Sequence, residues 1–205
     1  MEVFDLKPTR AGADLSFQVC AACPTFGFKP SYHCMPCYHR VFEPGQLQFI
    51  TSSTYRRVPV FVSESFCQTF AEVLGTLRQE FGFCLVGWVL MPDHFHLLIR
   101  PWPAESTPLL VQQLKQRTAY RVLQTLRQNS GDTGHRKVLV RFRLPETVHD
   151  HAQYRVWQRR YYVMNIFTEK KRLEKVNYMH GNPVKRGLVA SPDQWPWSSF
   201  RFHLL

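Results

Sequence analysis

The sequence predicts an α+β fold: a ferredoxin-like antiparallel sheet with helices packed on one face. Three observations carry this. Phe83–Met91 and His94–Arg100 are apolar runs separated only by Pro92 and Asp93, as in a β-hairpin. Residues 63–81 and 107–129 repeat apolar side chains at helical spacing. The resulting order is strand, helix, strand, strand, helix, with room for a further strand, and it fits a ferredoxin-type sandwich.

Taken in order, Gln46–Tyr55 alternates well enough for the first strand. In residues 63–81, Phe66, Phe70, Val73, Leu74, Leu77 and Phe81 share one helical face, and Ser65 with Gln68 reads as a capping box. The second helix opens with Thr107 as N-cap and Pro108 in its first turn, and runs to about Asn129. Residues 130–135 read as a loop, and Lys137–Arg143 fits either a strand or a basic excursion. A third helix follows Thr168 as N-cap and passes through Leu173 and Val176 to about His180, with Gly181 and Pro183 marking its end. Residues 35–205 thus read as one domain. Residues 1–34 read as an extension, with no net charge, scattered Gly and Pro and no sustained period.

The chain carries a formal charge of +11. That charge is concentrated: residues 115–143 hold eight basic residues against Asp132 alone, and residues 155–186 hold nine against Glu169 and Glu174. Such clustering suits a polyanion, because each phosphate neutralised releases a counterion. No apolar run reaches the roughly 18–20 residues of a membrane span, so no membrane partner is expected. The N-terminus lacks the basic-then-apolar pattern of a signal peptide, and a cytoplasmic location is the expectation.

Two His-x-His pairs occur. His149 and His151 lie in a polar stretch after Pro145 and Glu146. His94 and His96 flank Phe95 on a predicted strand, where period two puts both imidazoles on one face and Phe95 on the other. Two imidazoles so placed can hold one divalent ion; half-buried, hydrogen-bonded histidines are the alternative. Tyr178 lies near the end of the third predicted helix, and Asn182 shares its face if the last turn stays helical. A tyrosine hydroxyl is a weak nucleophile until positioned, and a nearby amide oxygen can help ligate a hard cation. A packed aromatic and a helix C-cap are the plainer readings of these two residues.

Gly87–Ile99 followed by Tyr178–Val189 resembles the REP-associated tyrosine transposases, single-tyrosine HUH transposases related to the IS200 type. Phe49–Arg57, Val156–Tyr162 and Trp195–Ser199 extend the resemblance over about residues 35–203. It implies the HUH endonuclease fold, with His94, His96 and Asn182 as ligands of Mg²⁺ or Mn²⁺. It also implies that Tyr178 attacks single-stranded DNA, forms a covalent 5′-phosphotyrosine and frees a 3′-OH that can later rejoin the strand. Relatives recognise short palindromic hairpins. Arg56, Arg57, Arg159, Arg160, Lys185 and Arg186 are then candidates for phosphate contacts, and Trp157 or Tyr161 for stacking on unpaired bases. Tyr161 and Tyr162 are rival nucleophiles by residue type and rank below Tyr178. The alternative is an inactive or truncated protein that still binds DNA hairpins. Relatives act as monomers or homodimers, and no motif here chooses between them.

Cys20, Cys23, Cys34 and Cys37 form two CxxC knuckles, a spacing that suggests tetrahedral zinc. Family members often begin with a segment like Met35–Gly45. On that reading the chain starts at Met35, Cys34 is lost and the zinc site with it.

Overall fold

A computed structural model describes residues 45–103, 106–129, 131–145 and 153–203. The four knuckle cysteines, the extension and the His149/His151 pair lie outside the described residues.

The sheet is built from β1 (Leu47–Ser53), β2 (Cys84–Met91), β3 (His94–Arg100) and β4 (Tyr162–Ile166). Its order is β2-β3-β1-β4 and every pairing is antiparallel. Between the strands come α1 (Glu64–Phe81), α2 (Thr107–Gln128) and α3 (Thr133–Phe142), and α4 (Glu169–Lys185) follows β4. The α+β class and ferredoxin-type order are those expected. β4 occupies the place left open for a further strand and pairs with the outer side of β1.

Both faces of the sheet are covered, which explains why β3 reads as nearly continuous apolar sequence. Phe95, Leu97 and Ile99 point into a core with α1 and α2, joined by Ile50, Phe70 and Leu114. Leu98 points the other way, into a smaller core with Phe49, Val89, Val176 and Met179. Packing on one face therefore holds for α1 and α2, whereas α4 covers the opposite face. His94 and His96, in phase with Leu98, lie on the α4 side. Gly87 lets α4 approach β2: a Cβ there would stand 3.1 Å from the Met179 methyl and 3.5 Å from Ser199 Oγ.

The Trp195–Ser199 motif covers the free edge of β2. Leu90 N donates to Trp197 O at 2.9 Å, and Ser199 N donates to Trp88 O at 2.9 Å. Trp195 Nε1 donates to Leu90 O at 2.9 Å. An edge closed in this way is protected from pairing with other chains.

Local expectations fail at element ends. Helix α1 is capped at Ser63, so Ser65 and Gln68 fall inside it; Ser65 Oγ lies 2.8 Å from Ser63 Oγ, and Gln68 Nε2 reaches Glu72 instead. The N-cap position of α2 is Ser106, whose side chain makes no capping bond, and the Thr107 hydroxyl instead donates at 2.7 Å to buried Gln48 Oε1. The undecided 137–143 segment is helical through Phe142, and Arg143 turns to extended backbone. Asp132 caps α3 by accepting from Gly134 N at 3.0 Å, and only Phe142 is fully buried, so the apolar period is weak. Finally, α4 runs through Gly181 and Pro183. Arg186 N closes the last turn on Asn182 O at 3.0 Å, and Gly187, at φ +65°, ends the helix.

Candidate active site

The longer α4 keeps Tyr178 and Asn182 one helical turn apart on the face above β3. The His96 and Tyr178 rings meet edge to face with centroids 5.5 Å apart. Asn182 Nδ2 donates to His96 Nε2 at 2.9 Å. His94 and His96 are themselves edge to face at 4.9 Å. One strand, β3, and one helix, α4, thus bring His94, His96, Tyr178 and Asn182 together from distant parts of the sequence.

Each imidazole has its Nδ1 engaged. His94 Nδ1 lies 2.6 Å from Asp93 Oδ1, and a carboxylate only accepts, so Nδ1 carries the proton and Nε2 is left with a lone pair. His96 Nε2 accepts from Asn182, so its Nδ1 donates to Thr51 Oγ1 at 2.7 Å. Burial pushes His94 below its ordinary pKa, with Arg57 and Arg186 adding to the effect and Asp93 opposing it. Burial, then the charges of His94, Arg57, Lys175 and Arg186, push His96 down to about 3. Both rings are therefore neutral near pH 7, the form that donates a lone pair to a metal. Burial works against ionisation of Asp93, but the His94 hydrogen bond and the charges of His94, Arg57 and Arg186 together hold its carboxyl below the usual range.

Asp93 is itself gripped from the turn after β1. Its carbonyl accepts from Thr54 N at 2.8 Å and from Thr54 Oγ1 at 3.1 Å. Its Oδ2 accepts from Arg57 Nη1 at 3.3 Å. Arg56 and Arg57 have φ of 53° and 54°, and they are the only non-glycine residues with positive φ among the described residues. That backbone costs about 1–2 kcal/mol per residue, and such strain clusters at working sites.

The other predicted residues divide. Lys185 Nζ lies 5.6 Å from the Tyr178 ring centre. Arg56 stacks on the Tyr55 ring at 5.0 Å, and Arg159, Arg160 and Arg186 are exposed. Trp157 is a correction: it is 4% exposed and packs on Phe61, Phe70 and Phe95, so it belongs to the core and cannot stack on a base. Tyr161 is half-buried against the same core. Tyr162 is exposed on β4 opposite Thr51, with the whole width of β1 between it and His96. Of the three tyrosines, only Tyr178 stacks against the imidazole pair.

Sequence reasoning missed four neighbours. Phe49 stacks on His96 at 5.3 Å. Lys175 Nζ lies 5.4 Å from the Phe49 ring centre and 5.5 Å from that of Tyr178. Thr51 and Asp93 are the imidazole partners already described. The position of Lys175, three residues before Tyr178, was a usable signal, and so was the adjacency of Asp93 to His94. Thr51 and Phe49 required the β1–β3 register.

The buried imidazoles make stability pH-dependent. The folded values of His96, about 3, and of His180, lowered to about 4 by burial and by His203, lie below the ordinary imidazole value. As pH falls below about 6.5, the unfolded chain takes up protons that the folded chain refuses, so stability falls; above that pH these groups add no slope. In thermal melts of metal-free protein, the midpoint should drop between pH 6.5 and pH 5, and His180→Asn should flatten the drop. A midpoint that rises on acidification over this range would contradict the burial of these rings.

Residues 44–137 match the family model described as IS200-like transposase. A REP-associated tyrosine transposase of Haemophilus influenzae is 26% identical over 167 residues, covering 81% of this chain and 86% of that protein. Over residues 44–137 the chain is similar to IS200-like transposases, and over most of its length to a REP-associated tyrosine transposase. A second transposase named as REP-associated, from Escherichia coli K12, is 22% identical over 163 residues, 80% of this chain and 81% of the relative. A solved REP-associated tyrosine transposase, bound to a REP hairpin, superposes with a TM-score of 0.59 at 20% identity, covering 82% of this chain and 84% of that one. That likeness bears on the transposase fold, whose sheet and helices agree with those described above. The matched family segment holds His94 and His96, and Tyr178 and Asn182 lie beyond it.

Proposed function

We propose that this transposase nicks and rejoins single-stranded DNA beside a palindromic hairpin, with Tyr178 as the nucleophile. The observation that carries the reading is the placement of Tyr178 and Asn182, one turn apart on α4, against the buried His94–His96 pair. The hairpin is inferred from the REP hairpin held by the solved relative and from the basic clusters at the site.

The donors present suit a divalent ion. His94, backed by a carboxylate, offers its Nε2, and turning the Asn182 amide over would free the Nε2 of His96 and present the amide oxygen beside it. The third protein ligand would then be the neutral amide of Asn182. Mg²⁺ or Mn²⁺ held there would polarise the scissile phosphate. The protein does the rest. The Tyr178 oxygen attacks phosphorus and releases its proton to solvent, the bond from phosphorus to the 3′ oxygen breaks, and that oxygen leaves as a 3′-OH after taking up a proton. A DNA 3′-OH then reverses the step on the phosphotyrosine, so no external energy source is required. Lys175 and Lys185, both near the Tyr178 ring, supply positive charge where the phosphate must lie. Arg56, Arg57, Arg159, Arg160 and Arg186 receive the flanking phosphates.

Incubation of the protein with labelled hairpin DNA carrying single-stranded flanks, taken from DNA around its gene, tests the reading. A denaturation-resistant adduct should form with Mn²⁺ or Mg²⁺ and fail to form with chelator. Hairpin binding without any adduct in either ion would favour an inactive binding protein.

Asp93 orients His94 in this scheme. Asp93→Ala should weaken Mn²⁺ binding, measured by calorimetry, about 10–100-fold. Asp93→Asn keeps an acceptor for His94 Nδ1 and should lose less. Unchanged affinity in Asp93→Ala would mean that the carboxylate does not set the imidazole.

A further inference from the structure

Helix α3 stands between α2 and β4, outside the strand–helix plan of a ferredoxin-like sandwich. Arg136, Lys137 and Arg141 on it are exposed, grouped around Thr133 and the 61%-exposed Val140. None of the three makes an ion pair or side-chain hydrogen bond among the described residues. Residues 133–143 contain no acidic side chain. The nearest carboxylate in sequence, Asp132, is occupied by Gly134 N and His135 Nδ1. The opposite side of α3 is anchored by Phe142 in the main core. The helix packs on α2 and on the Tyr55–Arg57 turn, the same turn whose Arg57 holds Asp93 beside His94.

The chemistry of this face selects its partner. Three unpaired cations on a rigid helix will bind a polyanion. From Arg136 to Arg141 the helix advances about 7.5 Å, a length over which duplex DNA presents several phosphates. The face offers no aromatic ring, and unpaired bases are held by stacking on aromatic rings. A ladder of paired backbone therefore fits better than a loose strand.

We propose that α3 is a contact surface for the paired stem of the DNA hairpin, separate from the pocket where the strand is cut. This rests on the reading that the transposase binds hairpins. Binding is measured by fluorescence anisotropy between about 50 and 200 mM salt, with chelator present to prevent nicking. Two probes are used: a hairpin with single-stranded flanks, and an unpaired oligonucleotide of equal length. In R136Q/K137Q/R141Q the hairpin Kd should rise at least about tenfold at the upper salt, and the slope of log K against log salt should shrink by about 2–3. The unpaired oligonucleotide should change by less than about threefold. R136K/R141K, which keeps the charge, should bind the hairpin like the wild type. The proposal is overturned if the triple variant binds the hairpin within about twofold with the same slope, or if both probes are lost equally. Failure of the functional reading looks different, because the wild-type protein would then show no preference for the hairpin.

Discussion

Tyr178→Phe should abolish the covalent protein–DNA adduct while leaving the fold and hairpin affinity intact. The substitution removes one oxygen and keeps the ring that packs on Phe49 and His96. Tyr178 is 42% exposed, and its hydroxyl makes no hydrogen bond among the described residues, so its loss should change stability by less than about 0.5 kcal/mol. The chemical effect is of another order, because no neighbouring group can replace an attacking oxygen. Among the described residues Tyr162 is the exposed alternative on that face, and it lies beyond β1 from His96. Adduct yield on denaturing gels, with anisotropy as the binding control, separates the two effects. An adduct of normal yield in Tyr178→Phe would move the nucleophile elsewhere.

His94→Ala and His96→Ala should each lower the rate of adduct formation about a thousandfold, and together reduce it to background. Charge stabilisation by a bound ion is worth several kcal/mol, and about 4 kcal/mol corresponds to that factor. The two variants should differ in stability. His94→Ala strands the 9%-exposed Asp93 without its imidazole partner, leaving Arg57 and the charge of Arg186 to balance it. His96→Ala removes a ring that stacks on Phe49 and leaves the neutral Thr51 hydroxyl, a smaller electrostatic loss. His94→Ala should therefore melt lower. Single-turnover rates and melting curves in chelator test both statements; a rate within tenfold of the wild type in either variant would remove that histidine from the ligand set.

Much of this architecture was legible in the sequence because strand period is strict. Phe95 facing the core and His94 with His96 facing the other way follow from alternation alone, and the sheet bears this out. Tyr178 and Asn182 were readable as a pair only if α4 stayed helical past Gly181. It does, because Arg186 N still reaches Asn182 O and Gly187 supplies the left-handed stop. Trp157 could not be placed, since an aromatic beside Arg159 and Arg160 looks the same in sequence whether it lines a DNA path or plugs a core. What decides is the pairing of Thr54 with Trp157, a long-range contact that turns the ring toward Phe61 and Phe95. Helix α3 was hidden by its short length and single buried anchor, and Lys175 and Thr51 by dependence on tertiary neighbours.

In the proposed reaction Tyr178, set beside the histidine pair by α4, becomes joined to the DNA 5′ phosphate. Peptide mapping by mass spectrometry of the adduct formed with Mn²⁺ tests it most directly. The expected product carries a nucleotide attached through phosphate to Tyr178, with the released strand ending in 3′-OH. A nucleotide on Tyr161 or Tyr162, or a released strand ending in 3′-phosphate, would contradict it.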